Sequence, residues 1–351
     1  MKNTQFNIKW LVRENIQDLQ PYSSARDEYV SDGSKMIFLD ANENPFDNGV
    51  NRYPDPQQRN LKSILAQQKG VTQQNILLGN GSDEVLDLIF RAFCEPKEDN
   101  IITLPPTYGM YQVLATINNI ENQKVLLTKG FQPNVSAIFE AVNQNTKIIF
   151  LCSPNNPTGN SFSEESIVKI LENFKGLVVI DEAYIDFSTK DSWLSSIEKY
   201  SNLIITQTLS KAYGLAGIRL GICYSSQPII EILNKIKPPY NVNELTQQRA
   251  FSRISDPSKV TIEVSKILKE RNELVAILQE VSFVTKIYET DANFILVQVD
   301  NADKRYKQLL DMGIVVRNRS TQPLCEDTLR FTVGTSEENN VLIQRIREII
   351  N

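Results

Sequence analysis

The feature that most restricts this chain is an alternation that runs from Met36 to about Ser225. Short uninterrupted apolar runs, such as Leu177-Val178-Val179-Ile180, alternate with stretches whose apolar positions recur at helical spacing. Strand candidates fall at 76–78, 100–104, 125–127, 147–152, 177–180, 203–207 and 219–224. Helical patterns cover 82–93, 108–118 and 135–142, and another is opened by Ser163 with Glu164 and Glu165 in its first turn. Strands that are apolar on both faces need cover on both. The pattern therefore predicts an α/β fold, with a mostly parallel sheet between layers of helices. Ligands of such sheets bind beyond the carboxyl ends of the strands, where loops gather. Lys237-Pro238-Pro239-Tyr240-Asn241 closes this stretch, because two prolines cannot continue the preceding helix. A helix over 257–280, strands at 283–288, 293–299, 314–317 and 328–333, and helices at 303–312 and from 336 predict a smaller α+β unit. The expected division is an arm over 1–28, a large domain over 29–240 and a small C-terminal domain over 241–351.

The chain of 351 residues contains no histidine. That removes Ser-His and Cys-His nucleophile pairs and histidine-held metals, so chemistry must run on Lys, Asp, Tyr, Cys or a cofactor. No metal site is expected. A net charge of −5, with 37 basic residues and no basic block, argues against nucleic acid or an anionic membrane as main partner. Cys94, Cys152, Cys223 and Cys325 are irregularly spaced and read as buried thiols of a reducing compartment. The first residues lack a signal-peptide core, and no apolar run reaches the roughly 18 residues of a membrane span. A cytoplasmic protein is expected.

The central motif is Thr208-Leu209-Ser210-Lys211-Ala212-Tyr213-Gly214, followed by Arg219. A lysine among small and apolar residues loses part of its preference for the charged form and becomes nucleophilic toward an aldehyde. Arg219 offers a forked donor suited to phosphate. Asp181, at the exit of a buried strand, can pair with a pyridinium nitrogen and keep it protonated, and Tyr184 can bond a ring hydroxyl. Alone, such an aspartate also suits a helix cap or a metal ligand. Gly79-Asn80-Gly81-Ser82-Asp83 lets the backbone approach an anion at a helix N-terminus, although it also reads as a plain loop. Asn156, in Ser153-Pro154-Asn155-Asn156-Pro157-Thr158-Gly159, offers an amide to a ring hydroxyl or a carboxylate; a rigid polar turn reads equally well. Tyr108 either stacks on a flat ring or is an ordinary boundary aromatic.

Together and in this order, these elements resemble the fold-type I pyridoxal-phosphate aminotransferases across nearly the whole chain. Finer features are similar to the histidinol-phosphate branch: Leu19-Gln20-Pro21-Tyr22-Ser23-Ser24-Ala25-Arg26, Leu39-Asp40-Ala41-Asn42-Glu43-Asn44-Pro45, Arg52-Tyr53-Pro54-Asp55 and Leu329-Arg330-Phe331-Thr332-Val333-Gly334-Thr335. The resemblance implies that Lys211 bonds pyridoxal 5′-phosphate and moves the proton. It implies that Asp181 faces the ring nitrogen, Tyr184 and Asn156 the ring oxygen, and Tyr108 the ring face. Ser82, Asp83, Ser210 and Arg219 would hold the cofactor phosphate, joined by Tyr53 of a second subunit, which makes a homodimer part of the site. Arg330 would take an amino-acid carboxylate, and Tyr22 and Arg317 would help it hold a substrate phosphate. The activity implied is amino exchange between histidinol phosphate and 2-oxoglutarate. The rivals are an aromatic aminotransferase, a phospho-amino-acid decarboxylase, and a regulator for whose DNA-binding domain the arm leaves no room. Arg319 has no role in this scheme.

Overall fold

The computed structural model describes residues 7–22 and 36–350. The segment Ser23-Ser24-Ala25-Arg26 lies outside the described residues. The arm includes a short helix α1 (Glu14–Gln17) and is fixed to the larger body. Val12 and Ile16 are buried there, and Arg13 pairs with Glu95 at 3.0 Å.

The larger body follows as α2 (Arg59–Lys69), β1 (Ile76–Asn80), α3 (Gly81–Phe93), β2 (Asn100–Thr103), α4 (Met110–Ile117) and β3 (Glu121–Lys124). It continues with α5 (Val135–Ala141), β4 (Thr146–Cys152), α6 (Glu164–Asn173), β5 (Leu177–Asp181), β6 (Leu203–Thr208), β7 (Leu220–Ser225), α7 (Gln227–Ile236) and α8 (Glu244–Ile254). Among the described residues the sheet order is β1-β7-β6-β5-β4-β2-β3. All neighbours run parallel except β7, which is antiparallel to both β1 and β6. The expected mostly parallel sheet is present. Successive side chains of a strand point to opposite faces, and β5 shows what that does here. Val178 and Ile180 enter one core with Ile149 and Leu203, whereas Leu177 and Val179 enter the other with Phe90 and Phe150. Each such buried aliphatic chain contributes roughly 1.5–3 kcal/mol, so the strand is held from both sides.

Two strand expectations are corrected. The strand expected at 125–127 lies at β3, on the polar residues Glu121-Asn122-Gln123-Lys124. Pairing with β2 decides it, because an edge strand needs backbone partners more than apolar side chains. Val125 and Leu127 continue alongside through N–H bonds to the carbonyls of Thr103 and Pro105, with their side chains buried. The strand expected at 314–317 shrinks to Arg317–Asn318, since the Ile314 N–H bonds back to the Leu309 carbonyl in a helix-ending turn at Gly313.

Beyond α8 come α9 (Pro257–Leu278), β8 (Val284–Ile287), β9 (Phe294–Val299), α10 (Ala302–Asp311), β10 (Arg317–Asn318), β11 (Thr328–Thr332) and α11 (Ser336–Ile350). Here an antiparallel sheet, β10-β11-β9-β8, packs against helices around Leu278, Val297, Leu309 and Ile343. Val242, Ala250 and Ile254 belong to a core of the larger body, so that core continues past Pro238-Pro239 into α8.

Candidate active site

The polar motifs meet at one edge of the large sheet. The strands β1, β4, β5 and β6 end there, and β7 begins there because it runs the other way. That reversal explains why Arg219 precedes a strand while the other motifs follow one. Gly79 and Gly221 face each other across the β1–β7 pair. A Cβ at Gly221 would sit 2.2 Å from the Ser82 nitrogen, so only glycine lets the start of α3 descend onto β7. The Gly81 N–H donates to the Arg219 carbonyl at 2.9 Å, and Arg219 itself holds a left-handed φ of 56°. Such a backbone in a non-glycine residue costs about 1 kcal/mol or more and persists because its surroundings impose it. The guanidinium is thereby laid across the N-terminus of α3, with Nη2 3.5 Å from the Asp83 carboxylate. Tyr108 donates its hydroxyl to the same carboxylate at 3.0 Å. A helix N-terminus beside an arginine is a binding site for a phosphate.

Asp181 forms the floor, only 3% exposed. It accepts hydrogen bonds from the Tyr111 hydroxyl at 2.8 Å and the Ala183 N–H at 3.3 Å. Burial pushes its carboxyl above the usual range. Among the described residues it has no ion pair, so a protonated ring nitrogen would supply the missing cation. The adjacent Glu182 is spent on structure, accepting from Ser192, the Trp193 N–H and Gln207.

Lys211 follows β6 in a turn closed by the Gly214 N–H to the Lys211 carbonyl and the Leu215 N–H to the Leu209 carbonyl. Its amine lies 5.6 Å from the centre of the Tyr184 ring. Burial of the amine first, and then the Arg330 guanidinium, lower its pKa, which favours the nucleophilic form. The Ser210 N–H donates to the Thr208 hydroxyl at 3.1 Å. Tyr184 is buried edge-on against Phe294 at 5.1 Å. Asn155 braces the proline-rich loop by donating to the Pro106 carbonyl at 2.8 Å and to Thr158 at 2.7 Å, leaving Asn156 to face the cleft. The Asn156 side-chain oxygen accepts from Nη1 of Arg330.

The opposite wall comes from the small sheet. Arg317 of β10 is registered against Arg330 of β11, and the guanidinium of Arg330 lies 5.0 Å from the Phe294 ring centre. Burial, and then Arg319, push Arg330 down to about 10, which still leaves it a cation at neutral pH. Apart from Tyr22 and Tyr53, every residue singled out from the sequence lines this one cleft of about 460 Å³. Tyr22 is 74% exposed at the end of the described arm. Tyr53 stacks on Tyr240 at 4.5 Å and borders a separate cleft. Sequence reasoning gave no role to Tyr111 and left Arg319 unassigned. No local pattern points from Tyr111 to Asp181, 70 positions away. Arg319 carried a usable signal, since a residue two along a strand from Arg317 shares its face.

A planar heterocycle with a phosphate fits these residues: a carboxylate below, an amine beside it, phenols around it and a helix end with an arginine at one side. Asp181 matches a protonated ring nitrogen in charge, and Arg219 with the backbone at the start of α3 matches a phosphate.

The sequence profile described as aminotransferase class I and II matches residues 35–346. A histidinol-phosphate aminotransferase of Flavobacterium johnsoniae is 68% identical over 343 residues, covering 97% of this chain and 98% of the relative. Among solved structures, the histidinol-phosphate aminotransferase of Clostridium acetobutylicum gives a TM-score of 0.80 at 23% identity, covering 86% of this chain and 91% of the other. That of Sinorhizobium meliloti, in complex with pyridoxal-5′-phosphate, gives 0.78 at 24%, covering 85% and 83%. The solved structures carry the likeness of fold; the Flavobacterium relative carries the likeness of sequence.

Proposed function

The chain belongs to the class I and II aminotransferases, and on that premise we propose that it exchanges an amino group between histidinol phosphate and 2-oxoglutarate. The products are imidazole-acetol phosphate and glutamate, a step of histidine biosynthesis. The observation that carries the reading is a lysine set between a buried carboxylate and a wall of guanidiniums, in a chain 68% identical to an enzyme of that name. Pyridoxal phosphate is the cofactor, and when bound it supplies an electron sink for the charge released at the substrate Cα.

The residues divide the remaining work. Asp181 holds the ring nitrogen protonated, while Tyr184 and Asn156 orient the ring oxygen and Tyr108 covers a face. Ser82, Asp83, Ser210 and Arg219 receive the phosphate. Lys211 holds the cofactor, yields to the substrate amine, and then moves the proton at the substrate Cα. Arg330, steadied by Asn156 and Phe294, takes the substrate anion, assisted by Arg317 and Tyr22. We assign a homodimer in which Tyr53 of each copy reaches the cofactor phosphate of the other. We also assign a cytoplasmic location, supported by four buried free thiols. No described helix is long and apolar enough to cross a membrane.

A spectral titration tests the reaction. Protein loaded with pyridoxal phosphate should lose its lysine-bound absorbance on addition of histidinol phosphate alone and recover it with 2-oxoglutarate. Bleaching by phenylalanine but not by histidinol phosphate would replace this reading with an aromatic aminotransferase. Carbon dioxide release from a phosphorylated amino acid would replace it with a lyase.

A further inference from the structure

Arg319 lies two residues beyond Arg317, and its N–H bonds to the Thr328 carbonyl at 2.9 Å, extending the β10–β11 pairing. Residues two apart on a strand share a face, as do direct cross-strand partners, so Arg317, Arg319 and Arg330 project from one face of the small sheet. All three line the cleft that holds Lys211. Among the described residues, none of the three pairs with a carboxylate. The Nε of Arg319 and that of Arg330 are buried without a hydrogen-bond partner. Cys325 and Tyr184 are the neighbours whose ionisation would offset Arg319, but a thiol and a phenol are neutral at pH 7 and burial raises both further, Cys325 to about 11. Three cations crowded on one face, with donors pointing at nothing, form a site built for more negative charge than one carboxylate carries.

Resting on the proposed reaction, the geometry points to Arg319 as a specificity-determining residue that adds a guanidinium fork to those of Arg330 and Arg317 around a substrate phosphate. In histidinol phosphate the phosphate is borne by the carbon next to the amine-bearing carbon, on the side where an amino acid has its carboxylate. One wall therefore meets a monoanion with two oxygens in one half-reaction and a dianion with three in the other. A carboxylate is satisfied by one fork, and Arg330, already tied to Asn156, supplies it. The dianion takes a further fork, and Arg319 is the half-buried guanidinium left to provide it.

The test is Arg319→Gln, assayed with histidinol phosphate and with unphosphorylated histidinol. The ratio of their kcat/KM values should fall about 30-fold, mainly through KM for the phosphorylated substrate, and Arg319→Lys should recover part of it. Calorimetry of inorganic phosphate binding to the wild-type and Arg319→Gln holoenzymes should show affinity weakened about tenfold in the variant. Equal losses on both substrates, or a ratio and a phosphate affinity that do not change, overturn this role while leaving the reaction intact. A wild-type enzyme inert toward histidinol phosphate overturns the reaction itself.

Discussion

The two walls of the cleft handle charge in opposite ways. On the wall from the large sheet, Arg219 and Asp181 are held by hydrogen-bonding or ionic partners within the chain. Arg219 reaches Asp83, and Asp181 accepts from Tyr111 and Ala183. On the wall from the small sheet, three guanidiniums face the cleft with no carboxylate partner among the described residues. The difference follows from what each wall serves. A resident cofactor is bound once, so its wall can be locked in place by internal hydrogen bonds. Substrates that alternate every turnover need donors left open to receive them, and the unmet charge is tolerated because a ligand meets it repeatedly.

The sharpest way to break the comparison is Lys211→Ala. It should reduce turnover about 10⁴-fold, since the proton at the substrate Cα loses its carrier. Steady-state rates and calorimetric affinity for inorganic phosphate check it together. A variant that also loses phosphate affinity would show that the two walls are not independent.

Asp181→Asn should lower kcat about 10³-fold by removing the charge opposite the ring nitrogen. It should also stabilise the cofactor-free protein. Burial raises the carboxyl pKa, so the protonated form suits the fold. That contribution is full below the unfolded value near 4 and is lost as pH rises through the folded value. Wherever the wild type carries the desolvated charge the asparagine variant does not, so on the alkaline side the variant should have the higher Tm. The two melting curves should converge near pH 4. A variant less stable at pH 8 would show that the Tyr111 and Ala183 bonds already neutralise the cost.

Arg330→Ala, on the opposite wall, should slow both half-reactions about 100-fold. Stopped-flow traces of each half-reaction check it, and an unimpaired glutamate half-reaction would remove Arg330 from the shared anion position.

Much of this was legible in the chain because it is local. β5 shows its burial as four apolar residues in a row, and its exit residue is Asp181 whatever the rest of the molecule does. The glycines at 79, 81 and 221 are likewise written into the sequence by close approaches: a Cβ would meet the Val85 side chain at 79, the Arg219 guanidinium at 81, and the backbone of Gly81 and Ser82 at 221. What was hidden depends on distant partners. The polar β3 is a strand because β2 lies beside it, not because of its own residues. The β7 direction could not be read from its composition, yet it decides which edge Arg219 occupies. Tyr111 meets Asp181 through the packing of α4 over the sheet, where its ring stacks on Phe150 at 4.9 Å.

That β7 direction has one more consequence. Strands β6 and β7 are antiparallel neighbours, so a single connecting loop delivers both Lys211 and Arg219 to the cleft. The loop acts as a calliper whose jaws are the covalent anchor and the phosphate clasp, and a rigid aromatic ligand sets its opening. Lengthening or shortening it would move the jaws apart or together, whereas the arginine wall sits on another sheet and can change without moving them. Substrate range can thus diverge on this scaffold while the gauge between residues 211 and 219 stays constant.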